Sequence, residues 1–241
     1  MTKPSLSVVI PAYNEEKAIA ATVSKVREHL ERSFEDWDIT VVDNASSDAT
    51  VERLGPLLDG RRVRVLVNEA NRGKGHSVRR GMLAAPGDLV LHCDADCAPS
   101  LSSLPLMLAL LEGADVVVGS RLAAGARVHR RQPLRRRIVG RSFVQLCRLL
   151  LRIPTRDLFC GFKLWRREAA RATFERTALD GWTFDAETLA MARALGYRVR
   201  ETGIEWTNRE GSRLSMARVL IPVTLELIEA RRRVREVRHG R

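Results

Sequence analysis

An α/β fold, a mostly parallel sheet flanked by helices in the Rossmann-like manner, is predicted by three observations. Apolar runs of strand length recur near residues 6–10, 39–42, 63–67, 88–92 and 115–118. The segments between them carry helical apolar spacing, as crossover helices require. Polar, turn-forming residues cluster at the carboxyl ends of the runs, where open sheets of this kind bind ligands.

Taken in order, Leu6-Ser7-Val8-Val9-Ile10 leads into Pro11-Ala12-Tyr13-Asn14-Glu15-Glu16, and Ile39-Thr40-Val41-Val42 into Asp43-Asn44-Ala45-Ser46-Ser47-Asp48. Asp43 stands where it can accept a hydrogen bond from a ring N–H of uracil or guanine; the competing reading is a helix cap, for which Asp48 is the better candidate. The third run precedes Asn71-Arg72-Gly73-Lys74-Gly75. This loop lacks Walker spacing. Its glycines permit close backbone approach and Lys74 offers a point charge to phosphate, although a tight turn before a helix accounts for the glycines equally well. The fourth run, Leu89-Val90-Leu91, ends in His92-Cys93-Asp94-Ala95-Asp96. An Asp-x-Asp at a strand's carboxyl edge places two carboxylates near one hard divalent cation beside a diphosphate, with simple turn capping as the alternative.

The 241 residues, 45% of them hydrophobic, suffice for one sizeable domain or one domain with an appendage. Cysteines 93, 97, 147 and 160 show neither CxxC nor zinc-ligand spacing, which fits a reducing cytoplasm. The first residues run straight into a strand-like segment, so no signal peptide is expected, and no apolar stretch reaches the ~18 residues of a membrane span. Histidines 29, 76, 92, 129 and 239 are scattered and form no recognisable Ser/His/Asp context.

The net charge of +12 is concentrated. Residues 127–156 hold ten arginines and no acidic residue, and residues 231–241 hold six arginines and one glutamate. These two segments exceed the charge of the whole chain, so the remainder is mildly acidic and the basic segments address something anionic. Arg137, Arg141, Gln145, Arg148 and Arg152 fall on one helical stripe, with Ile138, Phe143, Val144, Leu146, Leu149, Leu150 and Ile153 around it. Such a helix suits an anionic membrane surface, arginines to phosphates and apolar groups to the chains. The tail 216–241 is a second such element, with a helix packed on the domain as its competing reading. Nucleic acid is not expected, because Phe143 is the lone aromatic of the basic segments and no stacking platform exists.

The ordered set Pro11-Ala12-Tyr13-Asn14-Glu15, Val42-Asp43-Asn44-Ala45-Ser46-Ser47-Asp48, Asn71-Arg72-Gly73-Lys74-Gly75, Asp94-Ala95-Asp96 and Gly119-Ser120-Arg121 resembles family-2 glycosyltransferases of the GT-A fold. Arg156-Asp157-Leu158-Phe159-Cys160-Gly161-Phe162-Lys163, Trp182-Thr183-Phe184-Asp185-Ala186-Glu187 and Trp206-Thr207-Asn208-Arg209-Glu210-Gly211-Ser212-Arg213-Leu214 extend the likeness toward dolichyl- or polyprenyl-phosphate glucosyl- and mannosyltransferases. It covers roughly residues 5–215, giving a catalytic domain 1–215 and a basic helical tail 216–241.

That resemblance implies inverting transfer of a hexose from UDP-glucose or GDP-mannose to a polyprenyl phosphate, with Mg2+ or Mn2+, at the cytoplasmic face of a membrane. Pro11, Tyr13, Glu15 and Asp43 would surround the nucleoside, with Lys74 nearby and Arg213 on the donor phosphates. Asp94 and Asp96 would hold the metal, Arg121 and Arg136 the acceptor phosphate, and Asp185 and Glu187 would face the sugar. A soluble hydroxyl acceptor is the alternative, with Asp185 then the leading base. The family commonly has a second Asp where this chain has Asn44. Absence of a Gln-x-x-Arg-Trp motif points to single transfer rather than polymerisation.

Overall fold

The computed structural model describes residues 4–96, 100–129, 134–207 and 220–240, with the side chains of 134–139 and 220–223 outside the description. In chain order the elements are β1 (Leu6–Ala12), α1 (Ile19–Ser33), β2 (Trp37–Asp43), α2 (Thr50–Leu54), β3 (Val63–Val67), α3 (Lys74–Ala84), β4 (Leu89–Cys93), α4 (Leu104–Leu110), β5 (Val116–Ser120), β6 (Arg127–His129) and α5 (Leu134–Leu151). There follow β7 (Phe162–Arg166), α6 (Arg167–Phe174), α7 (Phe184–Ala194), β8 (Val199–Gly203), β9 (Glu205–Thr207) and α8 (Leu220–His239). The five predicted strands are present within two or three residues at each end.

Among the described residues, seven strands form one sheet in the order β3-β2-β1-β4-β7-β5-β8. β1, β2, β3 and β4 pair in parallel, as do β5 and β8. β7 runs antiparallel between β4 and β5, setting Lys163 opposite both His92 and Val118. Sequence reading missed this strand, because its residues sit in a loop-like motif and its partners lie far away in the chain. A parallel pair, β6 with β9, stands apart.

Both faces of the sheet are covered, which is why β1, β2, β4 and β5 are buried along their whole length. On one face α1 buries Ile19, Val23, Val26 and Leu30, one stripe at helical spacing, against Val8, Ile10 and Leu91. The opposite face packs α3, α6 and α7 over Val9, Val90, Val116 and Trp165, with α5 and α8 outside them.

The basic helices occupy that outer layer. α8 buries Leu227, Ala230 and Val234 and packs on α7 and α5, so this part of the tail is seated on the domain. In α5 the expected apolar-out arrangement is corrected. Phe143 stacks on Phe159 with ring centroids 5.4 Å apart, and Val144, Leu150 and Ile153 join the same core as Cys147 and Leu151. Only Leu146 and Leu149 of the named apolar set are exposed among the described side chains, because α5 packs the others on the domain beneath it. Arg148 donates to the Ile153 and Pro154 carbonyls just past the end of the helix. No helix of the described residues is long and apolar enough to cross a membrane. Cys93, Cys147 and Cys160 are buried free thiols.

Candidate active site

The crevice lies at the carboxyl ends of β1, β2 and β4, where the strand order reverses direction about β1. The loops after β1 and β2 are laced together. Asn14, at φ 54°, donates its backbone N–H to Ser46 Oγ at 2.9 Å, and its side-chain oxygen accepts from the Ser47 N–H at 2.9 Å. The Glu15 N–H reaches Thr50 Oγ1 at 2.8 Å. Asp43 is buried beneath this lacing and accepts from the Ser46 N–H at 3.0 Å and hydroxyl at 2.5 Å. Its carboxylate therefore braces the loop. Asp48 accepts from the Thr50 N–H at 3.0 Å, at the start of α2. Pro11 is buried under the crevice, Glu15 is half-buried, and Tyr13 turns a 45% exposed ring outward.

Asn44 shows why an amide suits its position. Its Nδ2 donates to Asn71 Oδ1 at 2.7 Å while its Oδ1 accepts from Asn68 Nδ2 at 3.0 Å and from the Arg72 N–H at 3.1 Å. A carboxylate has no donor for the Asn71 oxygen. The residue thus ties the β2 loop to the glycine loop ahead of α3.

In that loop the close approach is made by the chain itself. A Cβ on Gly73 would lie 2.3 Å from the Asp180 carbonyl oxygen, and one on Gly75 would lie 2.4 Å from that of Leu179. The Gly75 N–H donates to Asp180 O at 2.7 Å. Lys74, held between, places Nζ 2.6 Å from Asp94 Oδ1 and 5.5 Å from the centre of the Trp182 ring. Burial disfavours the Lys74 charge, yet Asp94 and Asp185 outweigh it and hold the ammonium above its usual value. Burial likewise disfavours the Asp94 carboxylate, but Lys74 and then His92 drive it well below the carboxylate range. His92, 3.3 Å from the same oxygen, is itself lowered by burial.

Asp94 is fixed from behind as well. Its N–H donates to the Gly161 carbonyl at 3.0 Å, and a Cβ on Gly161 would fall 2.0 Å from the Asp94 carboxyl carbon. Asp96 is half-buried and contributes to the field that favours charged Lys74. Among the described residues no three His, Cys, Asp or Glu side chains gather into a closed metal cage. Asp94, engaged by Lys74, and Asp96 are the two hard-oxygen side chains that end β4.

Arg121, just past β5, is gripped by Asp157. Its Nε and Nη2 donate to the two Asp157 oxygens at 2.7 Å each, and its backbone N–H donates to Oδ2 at 2.9 Å. The guanidinium carbon stands 4.8 Å from the centre of the Trp206 ring. Burial disfavours the Asp157 charge, but the Arg121 hydrogen bonds and charge outweigh it and lower the carboxyl. Arg121→Lys is expected to lower the unfolding temperature, since the forked pair with Asp157 is lost; thermal melts check it.

Asp185 and Glu187, expected to face the sugar, each have a basic partner. Asp185 is buried with its Oδ1 2.5 Å from Lys163 Nζ, which also donates to the Cys160 carbonyl at 2.7 Å. Glu187, wholly buried, accepts from the Ala178 and Leu179 N–H groups at 3.1 and 2.8 Å and from Arg233 Nε of α8 at 2.7 Å. Both acids stand in the first turn of α7, where the helix dipole favours negative charge. Arg213 and the side chain of Arg136 lie outside the described residues. Lys163, Asp157, Gly161 and Trp182 were missed as site-building residues. Each stood inside a quoted motif, but none announces its partner locally.

A mostly parallel sheet carrying one antiparallel insertion, with Asp94 and Asp96 ending β4 beside the β1 loop, defines an α/β fold of GT-A type. The model of glycosyl transferase family 2 matches residues 7–174, and the chain belongs to that family. It is 33% identical over 226 residues to a dolichyl-phosphate beta-glucosyltransferase of Mus musculus, covering 87% of this chain and 69% of the relative. It is 35% identical over 225 residues to that of Drosophila melanogaster, with the same coverage of 87% and 69%. Glucosyl-3-phosphoglycerate synthase from Mycobacterium tuberculosis, solved with Mn2+ and UDP-glucose, superposes with a TM-score of 0.65 at 21% identity, covering 95% of this chain and 79% of that one.

Proposed function

We propose that the chain transfers glucose from UDP-glucose to a polyprenyl phosphate with inversion at the anomeric carbon. The observation that carries this reading is the state of the buried acids. A hydroxyl acceptor needs a carboxylate base, and the leading candidate for it, Asp185, is ion-paired to Lys163, as its neighbour Glu187 is to Arg233. A lipid phosphate oxygen is already anionic and needs positioning more than deprotonation. Arg121 supplies a cation for that phosphate, and the curated relatives are named for glucose and a dolichyl phosphate.

In this mechanism the acceptor oxygen attacks the anomeric carbon as the bond to the departing diphosphate breaks, and UDP leaves with the electron pair. Tyr13 and the braced loops over Asp43 hold the nucleoside. Lys74 offsets charge developing on the leaving group, and Arg121 orients the acceptor phosphate. Asp94 and Asp96 would hold the divalent cation, which supplies charge neutralisation at the diphosphate when bound. The Mn2+ in the mycobacterial structure supports a metal of this class. The arginine-rich segments support peripheral work at an anionic membrane surface on the cytoplasmic side.

The test is transfer by purified protein with Mg2+ or Mn2+, UDP- and GDP-sugars, and polyprenyl phosphate or soluble hydroxyl acceptors, products being read by mass spectrometry and anomeric configuration by NMR. A β-linked glucosyl phospholipid from UDP-α-glucose is the expected product; release of UDP only with soluble hydroxyls would replace the lipid reading. Asp96→Asn is expected to abolish metal-stimulated transfer while leaving the melt unchanged, and full activity in that variant would remove Asp96 from the metal seat.

A further inference from the structure

We propose that Glu226 of α8 is a positioning residue for Lys74, acting through the segment 178–183, and that it thereby sets how tightly the crevice holds a nucleoside diphosphate. This rests on the reading above in which Lys74 meets the donor diphosphate. It adds to that reading a residue outside 7–174, the span matched by the family model.

Lys74 stands between two walls. On one side Asn71, tied to Asn44, accepts from the Gly73 N–H at 3.1 Å. On the other side runs the segment 178–183. Its Leu179 and Asp180 carbonyls lie so close to Gly75 and Gly73 that neither position has room for a Cβ, and the Gly75 N–H donates to Asp180 O at 2.7 Å. The Asp180 carboxylate accepts from Arg79 Nη2 of α3 at 2.7 Å. The centre of the Trp182 ring is 5.5 Å from Lys74 Nζ. A shift of this segment therefore moves the backbone on both sides of Lys74, and the ammonium with it.

The segment joins α6 to α7 and is neither helix nor strand, so its place is set by what grips its ends. At its start Glu187 accepts from the Ala178 and Leu179 N–H groups and is itself held by Arg233. At its end the grip is Glu226. The Thr183 hydroxyl donates to Glu226 Oε2, and Glu226 Oε1 would lie 2.9 Å from a Cβ on Gly181. Thr183 occupies the N-cap position of α7, where a threonine ordinarily turns its side chain to the first N–H groups of its own helix. Here it makes no such bond, and its hydroxyl goes to α8 instead. Glu226 and Arg233 stand about two helical turns apart on α8, so one face of that helix grips both ends of the segment.

The experiment is a double-mutant cycle on UDP binding, measured by calorimetry with Mn2+ and no acceptor, beside a thermal melt of each protein. Lys74→Met is expected to weaken UDP binding about tenfold. Glu226→Ala is expected to weaken it about fivefold in wild type and to add nothing in Lys74→Met, because the group it positions is gone. Thr183→Val removes the other partner of the same hydrogen bond and is expected to repeat both results. Glu226→Gln keeps an oxygen to accept from Thr183 and is expected to bind UDP within about twofold of wild type. If Glu226→Ala and Thr183→Val bind UDP like wild type while Lys74→Met binds weakly, the positioning role is overturned and the donor role of Lys74 stands. Equal weakening by Glu226→Ala in both backgrounds also overturns the positioning role, since the effect then reaches UDP by another route. Lys74→Met that binds UDP as wild type does overturns the donor role of Lys74 and the positioning role together.

Discussion

Gly161→Ala is expected to lower the transfer rate at least a hundredfold while the protein still folds. The added methyl would sit 2.0 Å from Asp94 Cγ and Oδ2 and 2.2 Å from Oδ1. The backbones cannot part cheaply, because the Asp94 N–H is hydrogen-bonded to the Gly161 carbonyl at 3.0 Å and the next residue, Phe162, is already paired with Cys93 in the sheet. Relief therefore comes from rotating the Asp94 carboxylate away, which breaks its 2.6 Å contact with Lys74 and removes half of the Asp-x-Asp seat. Misplacement of a positioned group by about 1 Å already costs on the order of a hundredfold. Single-turnover rates with saturating UDP-glucose, beside a thermal melt, check the result. Near-normal turnover would show that the Asp94 conformation held by Lys74 is not the working one.

The same pair of residues shows what the sequence could and could not disclose. Asp94 was legible because it closes an apolar run, and a strand's carboxyl end is where this fold puts chemistry. The five front strands were legible for a similar local reason: each is a buried parallel strand and reads as an uninterrupted apolar segment. Gly161 was legible only as part of a motif, since nothing in its neighbourhood says that a carboxylate 67 positions earlier fills the space where its side chain would be. β7 was lost to the same cause. Its residues Phe162-Lys163-Leu164-Trp165-Arg166 include charges, and its pairing with β4 and β5 is non-local in both directions.

Electrostatic partners were the least legible. Resemblance placed both Asp185 and Glu187 toward the sugar and named no basic partner for either. The structure sends Asp185 inward to Lys163 and Glu187 outward to Arg233 of α8, 46 positions away. The arginine cluster near the C-terminus accordingly divides. Arg233 belongs to the interior, bonded to both Glu187 and Glu229 with 17% of its side chain exposed, while Arg232 and Arg235 point to solvent. Counting charge along the chain treats them alike. The consequence for function is direct, because Glu187 also holds the Ala178 and Leu179 amides, and the next carbonyls, Leu179 and Asp180, pack on Gly75 and Gly73 beside Lys74. α8 thus braces the wall of the crevice from outside the segment matched by the family model.

Lys163→Met is expected to have the largest effect on stability. Lys163 is 1% exposed in the middle of the sheet, and its ammonium is the partner of an Asp185 side chain that is 4% exposed. Replacing it with an apolar side chain of similar length keeps the volume and leaves a buried carboxylate without its ion-pair partner, a change that costs about 3–5 kcal/mol. Against a total stability of about 5–15 kcal/mol this is a large fraction, and it corresponds to a fall of roughly 10 °C in Tm for a chain of this size. The cause is separable from lost packing by a second substitution. Lys163→Met combined with Asp185→Asn removes the orphaned charge while keeping a polar group for the first turn of α7, and it is expected to recover more than half of the loss. A double variant as unstable as the single one would mean that Lys163 acts through its aliphatic stem and its hydrogen bond to the Cys160 carbonyl, and that the ion pair itself contributes little to holding β7 between β4 and β5.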